Sequence, residues 1–257
     1  MKRAMGGHDR AARGFTLVEL LLVMGIIVML VGLLFPAVNA AVTAVRVIST
    51  ETTIRNLSAG LETFKQDWNI YPPSGKNRDG CPKSNGYDAL MYYLAGPDGT
   101  GWGSLYHVGT GITNAPFGGS ASAPYGPYYK VSGSVANVTP DPVQDAFRPG
   151  KVIFYYRYEP AETSAFDWTH NNSKSDALIG NFLDSTKFEF LVKPLDPVTS
   201  QKRWVRPDYL LISAGADRYW GYVKEVKSGS TLGLTQDVSP TDISQGIATC
   251  DDRCNWH

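Results

Sequence analysis

The sequence predicts an α+β fold in which a long N-terminal α-helix packs on a small antiparallel β-sheet with long loops. Three observations support this prediction. An apolar run lies near the start of the chain, after a short basic segment, and an amphipathic stretch of helical period follows it. That stretch ends at Tyr71-Pro72-Pro73, because proline cannot continue a helix. The remainder contains short segments rich in β-branched and aromatic residues, separated by stretches of glycine, proline and serine.

Charge is balanced over the whole chain but not along it. The 257 residues include 24 basic and 24 acidic side chains, which gives a formal net charge of zero. Nucleic-acid binding needs a basic surface, so no nucleic-acid partner is predicted. Residues 1–14 contain four of the basic residues and one acid. Because positive charge favours the cytoplasmic side of a membrane, we expect the N-terminus to stay inside and the remainder to be exported.

The apolar run predicts a membrane-spanning helix over residues 15–40. Residues 20–35 contain no polar side chain, and counting from Phe15 brings the run to the roughly 20 residues that a span requires. Glu19 lies inside this run, although a charge at the bilayer centre costs about 2.5–3.5 kcal/mol on insertion scales. Pro36 interrupts the same helix and is expected to kink or locally open it. A plain anchor has no use for Glu19.

An apolar stripe continues the helix as far as residue 69. Its members recur every seven residues with two more at the +3 positions, and charged side chains take the other faces. They are Val47, Ile54, Leu57, Leu61, Phe64 and Trp68. One helix over residues 15–69 would be about 80 Å long at 1.5 Å per residue. We expect its first half in a membrane or filament core and its second half on a globular domain.

Residues 41–257 are predicted to form the exported domain, which begins with the amphipathic half of the helix at 41–69. Residues 96–150 form an insert rich in Gly, Pro, Ser and Asn, which we expect to be a decorated outer surface or a small accessory subdomain. Segments with the composition of strands are 151–158, 186–193, 208–213 and a terminal hairpin within 219–234.

The stretch RGFTLVEL, together with the apolar run after it, resembles the signal of type IV pilins and type II secretion pseudopilins. In that family a prepilin peptidase cuts after the glycine and methylates the new N-terminal phenylalanine. The resemblance implies that residues 1–14 are a cytoplasmic leader, cleaved between Gly14 and Phe15, and that Phe15 is N-methylated. Glu19 and Pro36 match the family's glutamate and helix-breaking proline. The glutamate would pair with the N-terminal amine of a neighbouring subunit during assembly, because a buried charge is tolerable when paired.

Shorter matches extend the resemblance towards the major pseudopilin of type II secretion. They are IRNLSAGLETFKQDWNIYPPS, GYDALMYYLAGP, DPVQDAFRPGKVIFYYRY, YLLISAGADRYWG and DRCNW. The resemblance implies a pilin-like fold and a single-pass inner-membrane protein with a periplasmic domain, which polymerises into a periplasmic filament. The implied partners are other copies of the chain, prepilin peptidase, minor pseudopilins and the inner-membrane assembly platform with its ATPase. A type IV pilus or competence pilin, built on the same assembly principle, is the closest alternative.

The family's major pseudopilins bind calcium in the loop after the last strand, so the resemblance also implies a Ca²⁺ site. The family motif Leu-Gly-Ala-Asp maps onto residues 214–217. Asp217 would then supply a side-chain oxygen and Ala214 a backbone carbonyl, which are the hard oxygen ligands that calcium prefers. The alternative is that these aspartates are solvated loop residues.

The second acid of the calcium site is less well defined. Asp252, with Asp251 beside it, matches the family's acid before the terminal tryptophan, but the linker that precedes it is much longer than in the family. Asp237 or Asp242 is the alternative source of this ligand.

Three cysteines allow one disulfide and one remaining thiol. In an oxidising compartment Cys250 and Cys254 could form a short bridge, which would staple the C-terminal loop in place of the metal. A zinc set of Cys250, Cys254 and His257 matches none of the common zinc spacings.

Enzyme motifs are lacking, and we predict that the protein is not an enzyme. The chain contains no G-x-S-x-G, no H-E-x-x-H and no P-loop. His107, His170 and His257 are isolated in sequence and are expected to be surface or loop residues. A hypothesis from a different class of function is that residues 1–40 are an ordinary secretory signal. Cleavage after Ala40 would then release a soluble binding protein or enzyme. Glu19 and the amphipathic continuation of the helix argue against it.

Overall fold

A computed structural model describes the backbone of most of the predicted elements. The described residues are 16–75, 82–97, 99–103, 116–117, 125–130, 141–159, 166, 168–171, 188, 208–217, 223–228, 231–235, 248–249 and 253–254. The chain divides into two compact units, Met1–Ala44 and Val45–His257. Each unit is described by itself below.

Helix α1 spans Leu17–Trp68 and includes Pro36 without a break in its helical assignment. It is long and apolar enough to cross a membrane. Its end matches the prediction, because Asn69 takes the left-handed conformation with a φ of 57°. The Asn69 N–H donates to the Lys65 carbonyl at 2.7 Å, and asparagine is one of the few residues that tolerates this helix-terminating conformation.

The second half of α1 packs its predicted apolar stripe into the core of the Val45–His257 unit. The buried residues of the helix are Thr50, Ile54, Leu57, Gly60, Leu61 and Phe64, and Trp68 packs against them while partly exposed. Gly60 allows a close approach of another segment, because a Cβ there would lie 2.8 Å from the carbonyl oxygen of Tyr128. The stripe prediction is therefore confirmed over residues 54–68.

Helix α2, Gly86–Ala95, lies against α1 in the same core and ends at Gly96, whose φ is 87°. Trp102 follows it from the predicted insert. The Trp102 side chain is 0% exposed, and its indole N–H donates to the carbonyl of Tyr93 at 2.9 Å. This part of the insert therefore supplies a buried side chain to the core.

Within the described residues, six strands form two antiparallel sheets. The first sheet has the order β1-β2-β6, and the second has the order β4-β3-β5. Their bounds are β1 Phe154–Arg157, β2 Tyr209–Ser213, β3 Val223–Ser228, β4 Thr231–Thr235, β5 Ala248–Thr249 and β6 Arg253–Cys254. Strands β1 and β2 are buried along nearly their whole length. The α+β fold with a long N-terminal helix and small antiparallel sheets is confirmed and is consistent with a pilin-like fold.

Three local predictions have different outcomes. The terminal hairpin is confirmed, because β3 pairs with β4 from Lys224↔Thr235 to Ser228↔Thr231. The predicted strand at 186–193 is wrong at Phe188, the one residue of that segment within the described ranges, where the backbone is helical. His170, expected to be a surface or loop residue, lies in a short 3₁₀ turn, Trp168–Asn171, where it is buried.

Candidate assembly site and cation-binding turn

Glu19 is held by a capping box at the start of α1. The Thr16 N–H and the Thr16 hydroxyl both donate to Oε2 of Glu19, each at 2.9 Å. In return, the Glu19 N–H donates to Oγ1 of Thr16 at 3.2 Å. This reciprocal pairing satisfies two donors at the helix N-terminus, where a negative charge also complements the helix dipole. The T-x-x-E spacing is a sequence signature of this device, and the sequence analysis missed it.

The side chains of α1 within the Met1–Ala44 unit form an exposed apolar surface. Leu21, Met29 and Phe35 are 63%, 69% and 67% exposed. Apolar surface of this extent requires a membrane or a protein partner to cover it. Pro36 lies within the same segment and is also exposed. Gly14 and Phe15, the predicted cleavage residues, lie outside the described residues.

The turn that follows β2, residues 214–217, contains the first two predicted calcium ligands. Ala214 is buried, Asp217 is partly exposed, and Gly215 between them has a φ of 69°. Glycine adopts this left-handed conformation without the steric cost that most other residues incur. Ala214 and Asp217 therefore lie in the same short turn.

Strand β6 lies next to this turn. Arg253 pairs with Ser213, and Cys254 pairs with Ile212. The remaining residues of the predicted metal and disulfide sites lie outside the described residues; they are Asp237, Asp242, Cys250, Asp251 and Asp252. Within the described ranges, no group of three or more His, Cys, Asp or Glu side chains could hold a metal ion.

Asp145 is a buried carboxyl group beside the same turn, and the sequence analysis did not single it out. Its Oδ2 accepts a hydrogen bond from the Ser213 hydroxyl at 3.0 Å. Burial raises the pKa of Asp145 above its ordinary value, while the hydrogen bonds that it accepts, led by that from the Lys151 N–H, act in the opposite direction. The partners are 68 residues apart in sequence, so no local pattern could have predicted the contact.

Ser74 and His170 form another buried polar contact. The Ser74 oxygen lies 3.1 Å from Nδ1 of His170, and it accepts the N–H of Arg157 at 3.0 Å. Ser74 is 0% exposed, so this serine is not accessible to a substrate in the described conformation. The contact joins the chain after α1 to β1 and the 3₁₀ turn, and we assign it a structural role.

Comparison with known proteins gives one match. Residues 9–35 match the family described as the prokaryotic N-terminal methylation motif. No curated protein and no solved structure matched the chain. The matched segment contains Gly14, Phe15 and Glu19, the residues on which the resemblance to pilins depends.

The matched motif and the apolar helix together define a general class. They indicate a type IV pilin-like protein that is made as a prepilin and is anchored in a membrane by its N-terminal helix. Processing by prepilin peptidase and assembly into filaments are general to this class, and the class is structural rather than enzymatic. The motif is shared by pili and secretion pseudopili, so it does not distinguish them.

Proposed function

We propose that the protein is a structural subunit of a type II secretion pseudopilus. In this proposal residues 1–14 are the leader, cut after Gly14, and Phe15 becomes the N-methylated first residue. Residues 15–40 form the transmembrane and assembly helix, and residues 41–257 form the periplasmic domain. The methylation motif at the start of an exposed apolar helix supports a prepilin-type filament subunit. The resemblance of the downstream segments to the major pseudopilin favours a secretion pseudopilus over a pilus.

Subunits would assemble through the exposed apolar surface of α1. Both hydrogen bonds from Thr16 fall on Oε2 of Glu19. Because a carboxylate has further acceptor sites, Glu19 can also accept hydrogen bonds from a second group. We propose that the methylated amine of a neighbouring subunit binds Glu19 at those remaining sites, which selects one stagger between subunits. Pro36 would locally loosen the helix during packing.

The proposed setting is the inner membrane, with the N-terminus in the cytoplasm and the filament in the periplasm. The proposed partners are other copies, prepilin peptidase, minor pseudopilins and the assembly platform. Cleavage by an ordinary signal peptidase after Ala40 would cut within α1, which spans Leu17–Trp68. That position weighs against the soluble secreted alternative.

A deletion strain tests the secretion role. We expect its secreted enzymes to accumulate in the periplasm, while surface pili and DNA uptake stay at wild-type levels. Quantitative mass spectrometry of the medium and the periplasm measures the first, and electron microscopy and a transformation assay measure the others. A complementing copy of the wild-type gene should restore secretion. Normal secretion with loss of pili or of DNA uptake would instead support the pilin alternative.

We further propose a calcium site formed by the carbonyl of Ala214, the carboxylate of Asp217, and Asp251 or Asp252. Support for the site comes from the turn at 214–217, which contains two oxygen ligands of the kind that calcium prefers, and from the pairing of Arg253 with Ser213, which brings β6 next to that turn. A bound calcium ion would supply positive charge that holds two chain segments together. A disulfide between Cys250 and Cys254 would instead stabilise the C-terminal loop by a covalent bond, without a metal ion.

Chelation of calcium and reduction of the disulfide distinguish these two proposed ways of stabilising the C-terminal loop. At calcium 100-fold above Kd, binding stabilises the folded state by about 2.7 kcal/mol, which corresponds to roughly 5–10 °C in Tm for a domain of this size. We expect EGTA to lower the Tm of the wild type by that amount and to have no effect on Asp217→Ala. Asp141→Ala, an exposed loop variant, is the control that should respond like the wild type. A Tm that falls with dithiothreitol and is insensitive to EGTA would support the disulfide instead.

A further inference from the structure

The carboxylate of Asp145 accepts three hydrogen bonds. Its side chain is 7% exposed. Oδ1 accepts the N–H of Phe147 at 3.2 Å and the N–H of Lys151 at 3.1 Å, while Oδ2 accepts the Ser213 hydroxyl. Two of these bonds close the loop that contains Asp145, and the third reaches a different element. The third bond, from the Ser213 hydroxyl, therefore connects this loop to strand β2.

The hydroxyl of Ser213 links Asp145 to the turn at 214–217. It is the last residue of β2 and is fully buried. Its single hydroxyl hydrogen is donated to Asp145, so its lone pairs remain to accept the Gly215 N–H at 3.3 Å. Gly215 is the residue with the left-handed backbone that turns the chain between Ala214 and Asp217. The orientation of one hydroxyl thus connects Asp145 to the conformation of the turn.

The loop that carries Asp145 is itself fixed from other directions. The Asp145 N–H donates to the Lys151 carbonyl at 2.8 Å. The N–H of Ala146 donates to the hydroxyl of Thr50 at 3.1 Å, and Thr50 is buried on α1. Groups held by several elements can impose geometry on a neighbouring site, which is what pre-organisation of a binding site requires.

We propose that Asp145 is a positioning residue that holds the turn 214–217, through Ser213, in the conformation that binds a divalent cation. This inference rests on the proposed calcium site and adds the group that pre-forms it. Asp145 does not touch the cation. Its carboxyl fixes the Ser213 hydroxyl, the hydroxyl fixes the Gly215 N–H, and the turn then presents the Ala214 carbonyl and Asp217 together.

Two variants test the chain of contacts in different ways. Ser213→Ala removes the hydroxyl that bridges Asp145 and Gly215. Asp145→Asn keeps the shape and one acceptor oxygen but places an amide donor at the position of Oδ2, so Ser213 can no longer donate there. Tyr209→Phe is the matched control, because it also removes a hydroxyl from β2 that donates to a carboxylate, the Glu62 Oε1 at 3.2 Å, at the opposite end of the strand.

The experiment uses full-length mature protein in detergent micelles. Hydrogen–deuterium exchange of a peptide covering residues 209–217 is measured without calcium, and calcium affinity is measured by titration calorimetry with CaCl₂. We expect Ser213→Ala and Asp145→Asn to speed exchange at Gly215 and to weaken calcium binding, each by about tenfold, as the loss of one hydrogen bond to a charged group predicts. Tyr209→Phe should change neither, even where it lowers the Tm.

The results separate this inference from the proposal on which it rests. If the wild type binds calcium and both variants match it in exchange at Gly215 and in Kd, Asp145 is only a structural residue and the inference is wrong. If the wild type does not bind calcium, the calcium site itself is wrong and the inference falls with it, while the secretion role is unaffected. Loss of binding in all three variants, including Tyr209→Phe, would indicate general destabilisation and would also contradict positioning.

Discussion

Replacement of Glu19 by alanine is expected to abolish filament assembly while the subunit still inserts into the membrane. The variant loses the carboxylate proposed to neutralise the N-terminal amine of the next subunit. An unpaired charge within the bilayer costs about 2.5–3.5 kcal/mol, which is roughly 50–300-fold in affinity at each subunit contact. Because a filament repeats that contact at every subunit, we expect no filaments in sheared fractions examined by immunoblot and electron microscopy.

Two controls separate the loss of the charge from other effects. Glu51→Ala removes a carboxylate from the second half of the same helix and should assemble normally. Thr16→Ala removes the hydroxyl that donates to Glu19 Oε2 and accepts the Glu19 N–H, but it keeps the carboxylate and the backbone N–H of residue 16 that donates to it. It should lose the capping contribution, about 1 kcal/mol, and reduce assembly without abolishing it. Filaments of Glu19→Ala in wild-type amounts would show that the proposed pairing is wrong.

Replacement of Phe64 by alanine is expected to remove a large part of the stability of the Val45–His257 unit. Phe64 is 0% exposed, and the rings of Tyr128, Tyr93, Phe117 and Trp68 lie at centroid distances of 5.3, 6.0, 6.1 and 6.3 Å. A buried Phe→Ala change costs about 3–5 kcal/mol, because the transfer energy is lost and a cavity remains. Domains of this kind have only about 5–15 kcal/mol of stability in total.

Chemical denaturation of the detergent-solubilised protein, followed by tryptophan fluorescence, measures this cost. Gln66→Ala, at an exposed position two residues away on the same helix, should stay within about 0.5 kcal/mol of the wild type. A Phe64→Ala variant that loses less than about 1 kcal/mol would contradict the packing described here, because a fully buried ring cannot be removed that cheaply.

The features predicted correctly from the sequence are those that depend on local patterns of residues. The apolar stripe from Ile54 to Trp68 repeats at the helical period, and the turn residues between β3 and β4 separate two short strand-like segments. The helix end at Asn69 follows from the prolines after it. Each of these predictions uses residues that are close together in sequence, so their spacing alone indicates the structure.

The features that sequence missed are mostly contacts between distant residues. Asp145 and Ser213 are 68 residues apart, and Ser74 and His170 are 96 apart, so no spacing relates them. Trp102 lay in a stretch whose composition resembles a surface loop, and only tertiary packing shows that it fills the core. The Thr16–Glu19 capping box is different, since its pattern is local and could have been predicted from the sequence.

The mature N-terminus tests the central proposal most directly. Mass spectrometry of the protein purified from the native membrane fraction should find a chain that begins with N-methylated Phe15. That result would establish cleavage after Gly14 and place Glu19 four residues from the methylated amine. A chain that begins at Ala41 would contradict the proposal, because it would lack Glu19, Pro36 and the exposed apolar half of α1 through which the subunits are proposed to assemble.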